Sequence, residues 1–234
     1  MVDQLSGLNK EYYIELPYEI DLAALERSIK MRAINVDLSA VVHRIVEMVR
    51  PVTRPKAVFR PLIVENLHDS SFMLGGVTFC SRVLGKVLQE GDIVFPYIVT
   101  IGTELDILDS SQNDMLEKFR IDAVKSAVLF AAGRTFEDLL KKQYPERRLT
   151  HINPGEIDDW PLIQQKQVFH LLDGSIGQLG VQLTEGCMIK PVKSRSGIYF
   201  ANDDGFETCR LCTQYRCAGR RAAFDAQTLA RMIA

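Results

Sequence analysis

The chain has 234 residues, 47% of them hydrophobic and 25% charged, which accommodates one large domain with at most a small appendage and argues against a disordered tail or a coiled coil. Its 28 Lys and Arg against 30 Asp and Glu leave a formal net charge of −2, so there is no overall basic footprint for nucleic acid. No apolar run approaches the roughly 20 residues of a membrane helix, the first 18 residues carry Asp3, Glu11 and Glu15 in place of a basic-then-apolar leader, and the five cysteines form an odd set, so a cytoplasmic protein without membrane or nucleic-acid partners is expected.

In chain order, Leu22, Leu25 and Ile29 mark a short helix, and Val41, Val42, Ile45, Met48 and Val49 mark a second that Pro51 ends. From Ala57 the pattern becomes β-branched: Val58, Leu62, Ile63 and Val64 predict one strand and Val77 with Phe79 the next, separated by Gly75-Gly76. Ser81 to Leu88 reads as a short helix closed by Gly91. Residues 92–101 then read as a buried strand in which Pro96 predicts an edge position or a bulge. The longest periodic segment, 113–144, places Leu116, Phe119, Ala123, Ala127, Phe130 and Ala131 on one core-facing stripe. After a loop beginning at Pro145, Gln164 to Leu172 resumes helical spacing before Gly174, Gly177 and Gly180 punctuate it, and short strands follow at 181–183, 188–192 and 197–201. Irregular interspersion of helices and strands predicts an α+β fold with an antiparallel or mixed sheet and long helices, organised as a body over 1–201 and a Cys-rich C-terminal segment over 202–234.

P-loop, G-x-G-x-x-G, H-E-x-x-H and G-x-S-x-G patterns are absent. His43 and His170 fall in helical segments as packing or surface residues, and Trp160 before Pro161 reads as a packing anchor. Asp158-Asp159 reads as a cap for the helix that follows, and Lys190, Lys193 and Arg195 as a solvated basic strand face.

The ordered series Pro154-Gly155, Trp160-Pro161, Leu183-Thr184-Glu185, Met188, Pro191, Ser194, Ser196-Gly197 and Phe200 resembles the activation domain of cobalamin-dependent methionine synthase, and its shorter stand-alone relatives more closely still. With Thr100-Ile101-Gly102 and Asp122-Ala123-Val124 upstream, the resemblance spans roughly residues 21–201. It implies a protein that binds S-adenosylmethionine and presents its methyl group to the oxidised cobalamin of a corrinoid protein or cobalamin-dependent methyltransferase while a separate electron donor reduces it. On this reading His151, Asn153, Pro154, Gly155, Glu156, Ser194 and Ser196 hold the cofactor. Cobalamin is expected on a partner, because none of His43, His68, His151 or His170 lies in the D-x-H-x-x-G context of many corrinoid proteins. Three positions depart from the family: His151 and Glu156 stand for an arginine and a tyrosine in the turn, and Phe130 for a glutamate in the long helix. An arginine fork clamps a carboxylate in a way histidine does not, and Arg147 or Arg148 is the nearest substitute.

Cys209-x-x-Cys212-x4-Cys217 is a separate feature. Two thiolates spaced by two residues can chelate one metal from a turn and a third can return from the next segment, so zinc or an iron–sulfur cluster is expected at Cys209, Cys212 and Cys217. Cys187, a distant histidine or an open position completes the set, and a metal-binding accessory protein on the same fold is the alternative function.

Overall fold

The computed structural model describes residues 7–30, 39–106, 114–145, 148–214, 217 and 219–234. Its elements follow in order: β1 (Tyr12–Glu15), α1 (Leu22–Lys30), α2 (Ser39–Val49), β2 (Lys56–Phe59), β3 (Leu62–His68), β4 (Ser71–Leu74), β5 (Val77–Cys80), α3 (Arg82–Val87) and β6 (Ile93–Thr100). Then come α4 (Met115–Gln143), β7 (Leu149–Ile152), a 3-10 turn at Leu162–Gln164, α5 (Gln165–Leu171) and α6 (Asp173–Leu179). β8 (Gln182–Leu183), β9 (Ile189–Lys190), β10 (Ser194–Ala201), a second 3-10 turn at Thr208–Arg210 and α7 (Ala226–Ile233) complete the chain. All strand pairings are antiparallel. The fold is therefore α+β, as the interspersed periodicities predict.

β6 is the centre of the sheet, not an edge. β10 runs along one side of it, Ser194 opposite Thr100 through Phe200 opposite Val94, and β7 flanks β10. On its other side β2 pairs with Tyr97–Thr100 and β3 with Ile93–Val94, in one continuous register broken at Arg60-Pro61. Pro96 is tolerated because it lies opposite that break. The Arg60 N–H donates to the Pro96 carbonyl at 3.1 Å, and the ladder lacks only the return bond that proline cannot make. β1, β4 and β7, each of four residues, were not anticipated, and the one strand expected from Val58 to Val64 is two, β2 and β3, parted at Arg60-Pro61.

One sheet face packs against α3, α5 and α6 through a core that includes Val58, Phe72, Phe79, Ile98, Trp160, Val168, Ile198 and Phe200. The opposite face packs against the C-terminal half of α4 through Phe59, Tyr97, Tyr199, Ala132, Phe136 and Leu140. The N-terminal half of α4 instead meets α1 and α2, where Ile121, Val124 and Val128 join Leu25, Val42, Ile45 and Val49. Serving two partners makes its buried stripe wind around the helix. That is why Phe130, expected in the stripe, is 48% exposed. Gly174 and Gly177 lie inside α6, and only Gly180, at φ +72, ends it.

Asp159 caps a different helix from the one that follows it. Its Oδ2 accepts from Ser81 Oγ at 2.6 Å and from the Val83 N–H at 2.9 Å, and its Oδ1 accepts from Arg82 Nε at 3.2 Å, at the N-terminus of α3. Burial would raise the Asp159 pKa, yet these three donors hold it below the ordinary value. Trp160 is fully buried beside Phe79, the anchor its sequence position predicts. The C-terminal segment lies against the same core: Leu211 is buried in it, Leu229, Met232 and Ile233 of α7 pack on it, and Arg82 Nη1 donates to the Ile233 carbonyl.

Candidate functional site at the turn after β7

β7 ends at Ile152 and the chain reverses through Asn153-Pro154-Gly155-Glu156. The turn closes by Glu156 N–H to Asn153 O at 3.1 Å and Gly155 N–H to Trp160 O at 2.8 Å. Gly155 has φ +86, and a Cβ there would lie 3.3 Å from Leu162 Cβ, so both conformation and space call for glycine. Asn153 is the hub. Its N–H and Nδ2 donate to the two oxygens of Glu156 at 3.0 and 2.8 Å, and its Oδ1 accepts from Tyr97 OH at 2.7 Å. The Asn153 side chain fits because Gly197, opposite Tyr97 in β10, has no Cβ; one built there would contact Asn153 Oδ1 and come within 2.5 Å of Ile152 O.

Glu156 is thus a built-in acceptor of the turn. Burial pushes its carboxyl up from the ordinary value, against the hydrogen bonds from Asn153 and the positive field of Arg195 and Arg221. His151 is buried and pairs with Tyr199 across the β7–β10 ladder, the two rings 5.0 Å apart. Burial first, then Arg195, Arg221 and Lys141, lower its pKa to about 2, so it is a neutral imidazole at physiological pH. Arg195 is not a solvated strand residue. Its guanidinium lies 5.8 Å from the Tyr97 ring centroid and packs on Gly133 of α4, where a Cβ would approach Nη2 to 2.6 Å. Arg195 Nε and His151 Nδ1 have no hydrogen-bond partner, and the Tyr199 hydroxyl meets the Arg195 guanidinium.

Ser194 and Ser196 do not join this cluster. Alternation along β10 sends them to the other sheet face. Ser196 Oγ donates to Gln165 Oε1 at 2.9 Å, and Gln165 Nε2 to the Cys187 carbonyl at 2.6 Å. Ser194 Oγ lies 2.7 Å from Pro191 O and 2.8 Å from Thr100 Oγ1. Among the turn substitutes, Arg148 is exposed beside Gly205, and Arg147 lies outside the described residues. The positive charge beside Glu156 comes instead from Arg195 and Arg221, which no local spacing singles out.

A crevice of about 510 Å³ opens beside the turn, lined by Gly155 through Asp159 on one wall and Leu211 to Gln214 on another, with Arg82, Leu229 and Ile233. The C-terminal segment thereby forms part of the site. Thr208 Oγ1 donates to the His151 carbonyl at 2.7 Å, and a Cβ on Gly219 would lie 3.3 Å from the Phe130 ring.

The expected metal centre does not fit this arrangement: among the described residues, no three His, Cys, Asp or Glu side chains come together to hold a metal ion. Cys209 accepts from the Arg221 N–H through sulfur at 3.4 Å, Cys212 packs against the apolar core and Cys217 is exposed. The segment is organised around a different cation. Arg220 donates to the carbonyls of Cys209 and Ala222 at 2.8 and 3.0 Å through Nη1, and to those of Cys212 and Gln214 at 3.0 and 2.6 Å through Nη2. A guanidinium that gathers four carbonyls supplies the cross-link that spacing alone assigns to a metal.

The molecule is an α+β protein with an antiparallel sheet covered by helices on both faces and a turn-centred site at one end of β7. No family model and no curated protein sequence matches the chain. Among solved structures, the crystal structure of the MetH reactivation domain bound to AdoHcy has this fold, with a TM-score of 0.58 over 86% of this chain and 81% of that chain at 15% identity.

Proposed function

We propose that this protein binds S-adenosylmethionine at the turn after β7 and serves a cobalamin-dependent methyltransferase as a reactivation or methyl-donor partner. The observation that carries this reading is the coincidence of the shared fold with a crevice of about 510 Å³ at the Asn153–Glu156 turn, a volume typical of small-molecule sites. The neighbouring structure holds AdoHcy, the demethylated form of the same ligand. The donor set fits. Asp158 lines the crevice with a carboxylate suited to a sulfonium cation, Glu156 lies beside it, and behind the crevice wall the unpartnered His151 Nδ1 leaves capacity for a polar group. Bound S-adenosylmethionine supplies a methyl group on positively charged sulfur; the chain's own residues position it and limit its access to water. No helix among the described residues is long and apolar enough to cross a membrane.

Calorimetric titration tests the reading. Wild-type protein should bind S-adenosylmethionine and S-adenosylhomocysteine with dissociation constants below the millimolar range, and Gly155→Val should abolish binding by closing the turn against Leu162. Absence of heat at millimolar ligand with folded protein would overturn it. The partner role is read separately: added protein and S-adenosylmethionine should accelerate loss of the cob(II)alamin paramagnetic signal of a corrinoid methyltransferase supplied with reductant, and an unchanged decay would remove that role.

A further inference from the structure

His151 and Tyr199 are more than nine-tenths buried, yet His151 Nδ1 has no partner, and neither does the buried Nε of Arg195, whose guanidinium meets the Tyr199 hydroxyl. Buried polar atoms are almost always paired, so two such atoms beside one ring pair leave hydrogen-bonding capacity that a polar ligand group can use. Charges of both signs converge on the same place. Arg195 is fixed between Gly133 and the Tyr97 ring, and Glu156 is held by Asn153. Arg221 arrives from the C-terminal segment: Thr208 is bonded to the His151 carbonyl, and the preceding Glu207 holds Arg221 Nη2 at 2.7 Å. The fields agree with this placement. Both guanidiniums depress the His151 pKa, and Glu137 of α4 acts on both of them.

We infer that this polar cluster, behind the crevice wall, takes the α-amino-acid head group of the ligand, with Arg195 and Arg221 facing the carboxylate and Glu156 facing the ammonium, so that the C-terminal segment completes the binding site. The inference rests on the S-adenosylmethionine reading above and adds which end of the ligand meets which residues. A zwitterion matches a cluster in which Arg195, Arg221 and Lys141 alternate with Glu137, Glu156 and Glu207 better than phosphate, which the carboxylates repel.

Arg221 is the residue to change, because it is partly exposed and outside the turn that binds Glu156. Three probes separate the sources of the head group: S-adenosylhomocysteine, 5′-methylthioadenosine (an adenosyl thioether with no head group) and free L-methionine. Arg221→Ala should weaken S-adenosylhomocysteine about tenfold or more, the scale of a lost charge-assisted bond, while 5′-methylthioadenosine stays within about twofold and reports an intact fold. Equal weakening of both adenosyl compounds, or none for S-adenosylhomocysteine, overturns the head-group assignment and leaves the S-adenosylmethionine reading standing. If wild type binds L-methionine in an Arg221-dependent way but neither adenosyl compound, the head-group pocket stands and the adenosyl reading falls. No binding of any probe overturns both.

Discussion

Neighbouring residues of β10 meet opposite environments. Ser194 and Ser196 reach the face beneath α5, where each hydroxyl is matched and the Ser196–Gln165–Cys187 chain is closed. Arg195 and Tyr199, pointing the other way, end beside α4, where Arg195 Nε and His151 Nδ1 stay unpaired. A closed network rigidifies a core, whereas an open one keeps hydrogen-bonding capacity that only water or a ligand can use. The contrast separates side chains whose hydrogen bonds are closed within the fold from side chains that keep open capacity.

The largest expected effect strikes the seam between the faces. Gly197→Ala places a methyl against Asn153 Oδ1 and the Ile152 carbonyl, which are backbone and hub atoms with little freedom to yield. Urea unfolding should show a loss of about 3 kcal/mol, the upper range for overpacking. A loss under about 1 kcal/mol would mean that Asn153 is not locked over the strand.

Acid should affect the open face next. With a folded pKa of about 2 against an ordinary 6.5, His151 takes up its proton far more readily in the unfolded chain. Its contribution is therefore fully present above about pH 6.5 and is lost as pH falls toward 2, at no more than about 1.4 kcal/mol per pH unit. Glu156 acts in the opposite sense just above the ordinary carboxylate range, since its raised pKa keeps the proton on the folded form there. Comparison with His151→Phe, which shares Glu156, isolates the histidine: the wild type should lose more stability than the variant between pH 7 and pH 5. Parallel curves would contradict a neutral, buried His151.

The smallest effects sharpen the contrast because their sizes differ. Ser196→Ala leaves Gln165 Oε1 without its donor and should cost about 1 kcal/mol. Tyr199→Phe removes a hydroxyl that meets only the Arg195 guanidinium, so stability should change by less than about 0.5 kcal/mol while S-adenosylhomocysteine affinity falls. Equal destabilisation by both would erase the distinction between the two faces.

The sequence makes legible whatever depends on nearby residues. The long helix, expected over 113–144 and found at Met115–Gln143, announces itself by length and period, and Asn153-Pro154-Gly155 announces a turn by local chemistry. Strand pairing is not local. Pro96 reads as an edge residue until the break at Arg60-Pro61 is known to lie opposite it, and Asp159 reads as the cap of its own helix until α3 is brought beside it. The candidate site was half legible for the same reason. His151, Asn153, Gly155 and Glu156 share one stretch of chain, but Tyr97, Gly133, Arg195, Gly197 and Arg221 join them only through folding. Alternation along residues 194–199 does separate Ser194 and Ser196 from Arg195 and Tyr199, though which set meets the turn depends on the register of β7 against β10. The cysteine spacing did not reveal that the Arg220 guanidinium cross-links the carbonyls of Cys209 and Cys212, with no three-ligand group among the described residues.

The central claim is that the polar cluster beneath the turn is the ligand's place. Amide chemical-shift mapping of the protein titrated with S-adenosylhomocysteine tests it most directly. The account predicts saturable shifts concentrated at 151–159, 195–199 and 207–221, with 187 and 194 little changed; shifts confined to other surfaces, or none at ligand concentrations that saturate by calorimetry, would contradict it.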